Sequence, residues 1–335
     1  MTGTTGAFAY QPGATDYHVV FFFSNPYIAE FIVTAPENEL PDVMVEQKED
    51  AATDQETARP PLAIPRANEA PFSLRFLSFN LFLRPYLISD SEQAHTFSAG
   101  DYKKERVDLF CAQALDRYDV LCLQEVFDAT SRDVLKQRAA ERGLIHALDL
   151  PMGNSDTKSS TPIGSGLLIL SHFPLLDAFP QPFYHCSGAD QFSAKGFVSF
   201  RVLLPSGGAL NVINLHLQAS ASVRDPPYSE GSSTRFSQLV ELVAFLRARP
   251  QLLASGVILV GDFNLHHLGD TPSGDERDLA EPTRLDYMLW VASSEATPLL
   301  RRQTPFEVEI DKFIVDTPAA FEQLSDHDGL AMYIK

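Results

Sequence analysis

Residues 256–264 read GVILVGDFN: a short apolar run bounded by glycine that stops on two polar residues, Asp262 and Asn264. A run of this length is a strand rather than an amphipathic helix. The same plan recurs along the chain. LRFLSFN (74–80) ends on Asn80, DVLCLQE (119–125) ends on Glu125, and ALNVINLHL (209–217) carries His216 near its end. FEVEIDKFIV (306–315) holds Asp311, and LSDHDG (324–329) places Asp326 and His327 just before the apolar GLAMYI (329–334). Further strands are expected at GSGLLILS (164–171) and KGFVSFRVLL (195–204).

Between these strands lie amphipathic segments. DYKKERVDLFCAQALDR (101–117) and TSRDVLKQRAAERG (130–143) read as helices, the second closed by Gly143, since glycine accepts the left-handed terminal conformation at little cost. In TRFSQLVELVAFLRARP (234–250), Phe236, Leu239, Leu242, Val243 and Leu246 form an apolar stripe, Thr234 is placed to cap the start, and Pro250 to stop the helix. Strands interspersed with helices predict an α/β chain of two packed sheets with helices outside them. Periodicity alone also allows one open α/β sheet.

The chain has 335 residues, 44% of them apolar, enough for one large domain with an appendage. Residues 1–70 stand apart, with 11 acidic and 3 basic side chains. Within them, YHVVFFF and IAEFIVTA flank SNPY, a β-hairpin pattern, and the stretch 36–71 is charged and proline-punctuated like a linker. The expected division is therefore an N-terminal hairpin extension and acidic linker over 1–70 and a main domain over 71–335.

The net charge of −18 disfavours a protein that grips duplex nucleic acid through many phosphates. Three cysteines outside any C-x-x-C pair suggest neither a disulfide framework nor a cysteine zinc site. The first residues lack the basic and hydrophobic regions of a secretory signal, and no apolar run is long enough to cross a bilayer as a helix. The expectation is a cytoplasmic chain, peripheral at a membrane, with secretion left open where a signal segment has been removed. No protein partner is read from the sequence.

Taken singly, the polar strand ends have ordinary explanations. Glu125 or Asp262 is as well suited to a helix cap or an ion pair as to a metal, Asn80 to a turn, and His216 to a satisfied position in a strand. Their ordered combination points elsewhere. Carboxylates and amides converging at a sheet edge suit a hard cation such as Mg²⁺ or Mn²⁺, and histidine remains available for proton transfer or phosphate contact.

The ordered motifs LSFN (77–80), LQEVFD (123–128), GDFN (261–264) and LSDHDG (324–329) resemble the endonuclease/exonuclease/phosphatase superfamily. SHFPLLDAF (171–179), ADQFSAKGFVSFRV (189–202) and NVINLHLQAS (211–220) resemble, within it, the neutral Mg²⁺-dependent sphingomyelinases. The resemblance runs from about Phe72 to Ile334 and implies a four-layered α/β sandwich, two central β-sheets flanked by helices. It makes Glu125 the main metal carboxylate with Asn80 completing the site, and it extends the candidate metal shell to Asp262, Asn264, Asp326 and His327. His216 would contact the scissile phosphate. Asp262 would orient the nucleophile or assist the leaving group, Asn264 would hold a phosphoryl oxygen, and His327 would be the general base. Asp311 would orient its imidazole, and Lys195 in AKGF, preceded by Asp190, would neutralise a phosphate oxygen beside Gly196. One departure is visible: the family often has an aromatic residue after the orienting aspartate, whereas Lys312 follows Asp311.

The implied reaction is Mg²⁺-dependent (or Mn²⁺-dependent) hydrolysis of a phospholipid, sphingomyelin first, to ceramide and phosphocholine, with transient contact at a membrane surface. Phe173, Phe179, Phe183, Tyr184 and Phe192 supply apolar area near Lys195 that would suit a lipid interface or pack a long loop. A phospholipase C acting on another lipid, a nuclease or an inositol or small-molecule phosphatase of the same fold, and a noncatalytic lipid-binding protein are the competing readings.

Overall fold

In a computed structural model of the protein, the described residues are 5–10, 17–25, 28–34, 73–85, 102–150, 163–220, 229–265, 285–291, 306–315, 321 and 323–334. For 5–34, and for Trp290, Phe306 and Glu307, the backbone alone is described. The linker expected over 36–71 lies outside them. Among them no helix is long and apolar enough to cross a membrane.

The strands are β1 (Thr5–Tyr10), β2 (Tyr17–Asn25), β3 (Ile28–Thr34), β4 (Leu74–Leu83), β5 (Val120–Val126), β6 (His146–Leu148) and β7 (Leu168–Ser171). They continue with β8 (Leu175–Pro182), β9 (Gly196–Leu203), β10 (Ala209–His216), β11 (Val257–Asp262), β12 (Asp286–Val291), β13 (Phe306–Asp311) and β14 (Gly329–Ile334). Helices α1 (Lys103–Ala114) and α2 (Ala129–Glu141) follow β4 and β5, while α3 (Glu230–Arg247) and α4 (Pro250–Ser255) lie between β10 and β11. The strands form two mixed sheets, in the orders β1-β2-β3-β12-β11-β10-β9-β8 and β13-β14-β4-β5-β7-β6.

The period of two in each strand divides its side chains between two environments. In β4, Leu74 and Phe76 join Val120, Cys122, Val198, Val212, Ile258 and Val260 in a core built from both sheets. Leu77, Phe79 and Leu81 point the other way, onto Val107, Phe110 and Cys111 of α1 and Leu135 of α2. On the first sheet, Ile213, Leu215, Val257 and Leu259 meet Leu239, Leu242, Val243 and Leu246 of α3. The two sheets are thus flanked by helices, and each wholly buried Leu or Phe contributes roughly 1.5–3 kcal/mol.

Several local readings shift. α3 begins a turn before Thr234: Ser229 is the N-cap, its side chain accepting from the Ser232 N–H, while the Thr234 hydroxyl donates to the Glu230 carbonyl. α3 ends at Arg247, short of Pro250, and Pro250 also opens α4, because a helix start has no use for the missing N–H. Gly143 follows α2 with φ +88°, as its position requires. Strands β1, β6, β8 and β12 carry no signal clear enough to read from the sequence.

Two parallel pairs decide where function sits. β4 runs parallel to β5, and β10 parallel to β11, and contacts from Asn80 to Asp262 and from Glu125 to His216 put the C-terminal ends of all four strands on one side of the molecule. Parallel neighbours need a crossover, supplied here by α1 and by α3 with α4. In the β10–β11 register His216 is paired with Asp262, and Leu215 with Gly261. Gly261 has φ +137°, and a Cβ there would stand 2.0 Å from the Leu215 carbonyl oxygen. Gly261→Ala should therefore force the two strands apart next to the His216–Asp262 pair and lower stability by at least about 2 kcal/mol. A denaturant unfolding curve matching the wild type would contradict this.

Candidate active site

The ends of β4, β5, β10 and β11 bring Asn80, Glu125, His216 and Asp262 together, and the segment entering β14 adds His327. Asp262 is the centre. Its Oδ2 accepts from Asn80 Nδ2 at 3.0 Å and lies 3.4 Å from His216 Nε2 and 3.8 Å from His327 Nε2. Its Oδ1 accepts from the backbone N–H of Asn264 at 2.8 Å. Burial pushes this carboxyl up to about 6, with nearby Asp286 adding, while His327, Lys195 and the Asn264 N–H pull it down. Glu125 stands across the cleft, its Oε1 3.8 Å from His216 Nε2, and burial, helped by Asp326 and Asp262, lifts its carboxyl to about 7 against the pull of Lys195. Both Glu125 and Asn264 hold φ near +50°, a conformation rare outside glycine and common where a side chain must be aimed.

His216 is enclosed. Burial, and then the positive charges of Lys195 and His327, drive its pKa well down, so the ring is neutral. Lys195 Nζ lies 3.1 Å from Nε2, a geometry in which the ammonium donates and the ring accepts; among the described residues the buried Nδ1 has no hydrogen-bond partner. Lys195 is itself buried, held by Asp190 at 2.8 Å and the Leu217 carbonyl at 2.9 Å. Gly196 permits a close backbone approach, and its neighbour is β8: a Cβ there would meet the Gln181 carbonyl at 2.2 Å. Asn264 gives one amide hydrogen to the Leu217 carbonyl at 3.1 Å. Asp326, half-exposed, reaches within 3.9 Å of His327 Nε2.

The aspartate on the His327 ring is Asp286, not Asp311. Asp286 Oδ2 lies 2.6 Å from His327 Nδ1, at the start of β12, where the register sets Asp286 beside Asp262. Asp311 instead accepts from the Tyr118 hydroxyl at 2.5 Å and pairs with Arg117 at 2.9 Å, pinning β13 to the end of α1. The reason is topological: β13 is an edge strand beyond β14, while β12 adjoins β11 in the other sheet. A signal was available. Tyr287 supplies the aromatic residue after the aspartate that Lys312 failed to provide. Burial alone would lower the His327 pKa, but Asp286 and Asp262 overcome it and the net direction is strongly upward.

Beneath this layer, sequence reading also missed a buried polar bridge between the sheets. Gln124 Nε2 donates to Asn214 Oδ1 at 2.7 Å and approaches Ser78 Oγ at 3.3 Å, while Asn214 Nδ2 donates to the Leu123 carbonyl. The aromatic segment divides. Phe183 is core, packed on Phe197, whereas Tyr184 is 89% exposed and Phe192 53%.

The donor set fits a divalent cation. Glu125, His216 and Asp262 offer ligand atoms within 4.8 Å of one another, as do Asp262, Asp286 and His327. The upward displacement of Glu125 and Asp262 points the same way, because desolvated carboxylates lacking sufficient positive charge are the groups a bound cation restores to the ionised form. Asn80 Oδ1 accepts from the Phe82 N–H and keeps a second lone pair.

The sequence profile described as the endonuclease/exonuclease/phosphatase family matches residues 77–327. A sphingomyelinase C of Bacillus cereus is 29% identical over 182 residues, 51% of this chain and 53% of that protein. A sphingomyelinase of Dictyostelium discoideum is 25% identical over 191 residues, 49% of this chain and 40% of that protein. The chain thus spans about half the length of the curated relatives it matches. Sphingomyelinase C from Streptomyces griseocarneus superposes with a TM-score of 0.58 at 22% identity, covering 79% of this chain and 100% of that one. A beta toxin variant from Staphylococcus aureus, solved with bound magnesium ions, gives 0.60 at 18% identity over 79% of this chain and 100% of that one. At these identities the structural likeness is one of fold.

The His327 contacts make a prediction independent of any substrate. Asp286→Asn removes the carboxylate that favours the imidazolium and leaves burial, which disfavours it, so the titration midpoint of His327 followed by NMR should fall. Asp311→Asn should leave that midpoint in place. The opposite pattern would return the orienting role to Asp311.

Proposed function

The chain belongs to the endonuclease/exonuclease/phosphatase family, and from that premise we propose that it is a divalent-metal-dependent phosphodiesterase that cleaves sphingomyelin to ceramide and phosphocholine. Residues 71–335 form the catalytic domain of this reading, a four-layered sandwich to which residues 1–70 are an appended extension. The observation that carries it is the convergence on Asp262 of two imidazoles of opposite character. His216 is held neutral beside a buried ammonium, while His327 is held by a carboxylate. A phosphodiesterase needs both, one side to receive negative charge and the other to take a proton.

The roles follow from position. Water aligned at Asp262 gives its proton to His327 Nε2, whose Nδ1 is fixed by Asp286. The imidazolium so formed is stabilised by the same two carboxylates that raise its pKa. The positive charge of Lys195, buried against His216, and the remaining amide hydrogen of Asn264 offset the charge that builds on the phosphoryl oxygens. As the water oxygen bonds to phosphorus, the bond to the ceramide oxygen breaks on the opposite side, and that oxygen leaves with a proton from solvent. A divalent cation held by Glu125 with Asn80, Asp262 and Asp326 nearby would supply Lewis-acid neutralisation of a phosphoryl oxygen. We assign Mg²⁺ to it, with Mn²⁺ accepted by the same oxygens, in keeping with the magnesium seen in the beta toxin structure.

Sphingomyelin is preferred over nucleic acid because the curated relatives are sphingomyelinases and because the net charge of −18 opposes a polyanion. The contact with lipid is transient and made by Tyr184 and Phe192, exposed aromatics on the segment that leads to Lys195.

The test is a hydrolysis panel of sphingomyelin, phosphatidylcholine, lysophospholipid, duplex DNA and inositol phosphates, with products identified. Sphingomyelin should yield phosphocholine. A chelator should remove most turnover and Mg²⁺ restore it, and Glu125→Gln should require more metal for the same rate. Full activity after verified metal removal, or preference for DNA, would overturn the proposal. A second measurement concerns the interface. Replacing Tyr184 and Phe192 with serine should depress hydrolysis of vesicle-borne sphingomyelin more than that of a water-soluble phosphocholine ester, which need not be drawn from a bilayer. Equal losses on the two substrates would remove the docking role.

A further inference from the structure

α3 carries a row of polar side chains, Arg235, Gln238 and Glu241, along one side of a helix whose other buried residues are apolar. Arg235 and Gln238 are completely buried, a costly place for such groups unless their hydrogen bonds are made. Gln238 spends both ends of its amide on main chain. Its Oε1 accepts from the Gln218 N–H at 2.8 Å, two residues past His216, and its Nε2 donates to the His185 carbonyl at 2.7 Å. Arg235 donates to the Gln218 carbonyl at 3.2 Å. Glu241 accepts from the Tyr184 and His185 N–H groups at 2.8 and 3.1 Å.

The two segments so held are those that fix Lys195. Leu217 provides the carbonyl that accepts from the ammonium, and the segment 183–192 provides Asp190, whose Oδ2 meets the ammonium and also accepts from the Ala219 N–H at 2.8 Å. Ser187 closes the loop by donating its N–H to Gln218 Oε1 at 2.9 Å. An ammonium on a flexible four-carbon stem has no orientation of its own, so its place beside His216 is set by these acceptors.

We infer that Gln238, with Glu241 beside it, is a positioning residue for the reaction: it ties the 183–192 segment to the main chain after His216 and so holds Lys195 against the phosphate-binding imidazole. The inference rests on the proposed role of Lys195. Gln238→Glu keeps the size and the acceptor but turns a carboxylate onto the His185 carbonyl, and Gln238→Met removes both bonds at similar volume.

Two readouts test it. With Mg²⁺ and a water-soluble phosphocholine ester, Gln238→Glu should lower kcat about 10-fold with KM within about twofold, since the ammonium acts on charge that develops in the transition state. In a Lys195→Ala background the same change should cost less than about twofold, because residues acting through one another are not additive. Losses that multiply would overturn the inference. The second readout needs no activity: acylation of lysines by an amine-selective reagent, mapped by mass spectrometry. Lys195 should react about 5-fold faster or more in the Gln238 variants than in the wild type, with exposed Lys104 unchanged. Glu241→Gln loosens the same segment without entering the core and should show the same direction, so it decides if the Gln238 variants fail to fold. Unchanged Lys195 labelling in a folded variant would sink the positioning role, whereas inactivity of the wild type with the labelling shift intact would sink only the proposed substrate.

Discussion

A carboxylate with almost no exposure to water, Asp262, sits where the strand ends of both sheets meet, and the active edge depends on keeping it there. Removing such a charge from water costs on the order of several kcal/mol. The cost is offset only because groups from both sheets reach it: Asn80 of the second sheet and the Asn264 N–H at its own strand end donate to it, and the His327 ring, held toward its charged form, lies 3.8 Å away. No one strand could satisfy the group. The two sheets are therefore locked in relative position by the same contacts that make the site, and the apolar core between them sets the distance across which those contacts are made.

The electrostatics follow from that arrangement. The chain is strongly acidic overall, yet the cleft contains a buried ammonium and a histidine held toward its charged form. Carboxylates raised in pKa, a neutral imidazole and a raised one within a few ångströms are what distinct acid and base roles require. Net charge describes the molecule's dealings with distant polyanions and says little about a phosphate that reaches the cleft.

The groups differ in how they are held. Asn80, His216 and Asp262 belong to strands packed on both faces. His327 lies on a connecting segment, and that segment is tied down by other means. Arg106 of α1, fully buried, donates to the Leu324 and Gln323 carbonyls and stacks on Phe321, while Phe313 enters the core against Phe79. Arg106 thus does near His327 what Gln238 does near Lys195. In both cases a helix on the outer face of a sheet fixes main chain a few residues from a side chain of the candidate site.

Much of this was legible in the residues themselves. Apolar runs of strand length ending on Asn80, Glu125, His216 and Asp262 mark a sheet edge with oxygen donors, because strand formation and local polarity are both properties of neighbouring residues. The helices that cross between the parallel strands were readable from their stripes for the same reason. Asp286 and Gln238 were not. Asp286 heads a strand set between β11, which precedes it in the chain, and β3, which is more than 250 residues away, and Asp311 had an equally good local context. Which aspartate meets His327 depends on strand order, and strand order is decided by which apolar faces pack together across the whole chain. Gln238 looks like a polar interruption in a helix until the fold carries two distant segments of main chain to its two ends. The sequence by itself determined which groups the site contains; only the tertiary structure decided which of them touch, because hydrogen bonds act over about 3 Å and residues so close in space can be separated by most of the chain.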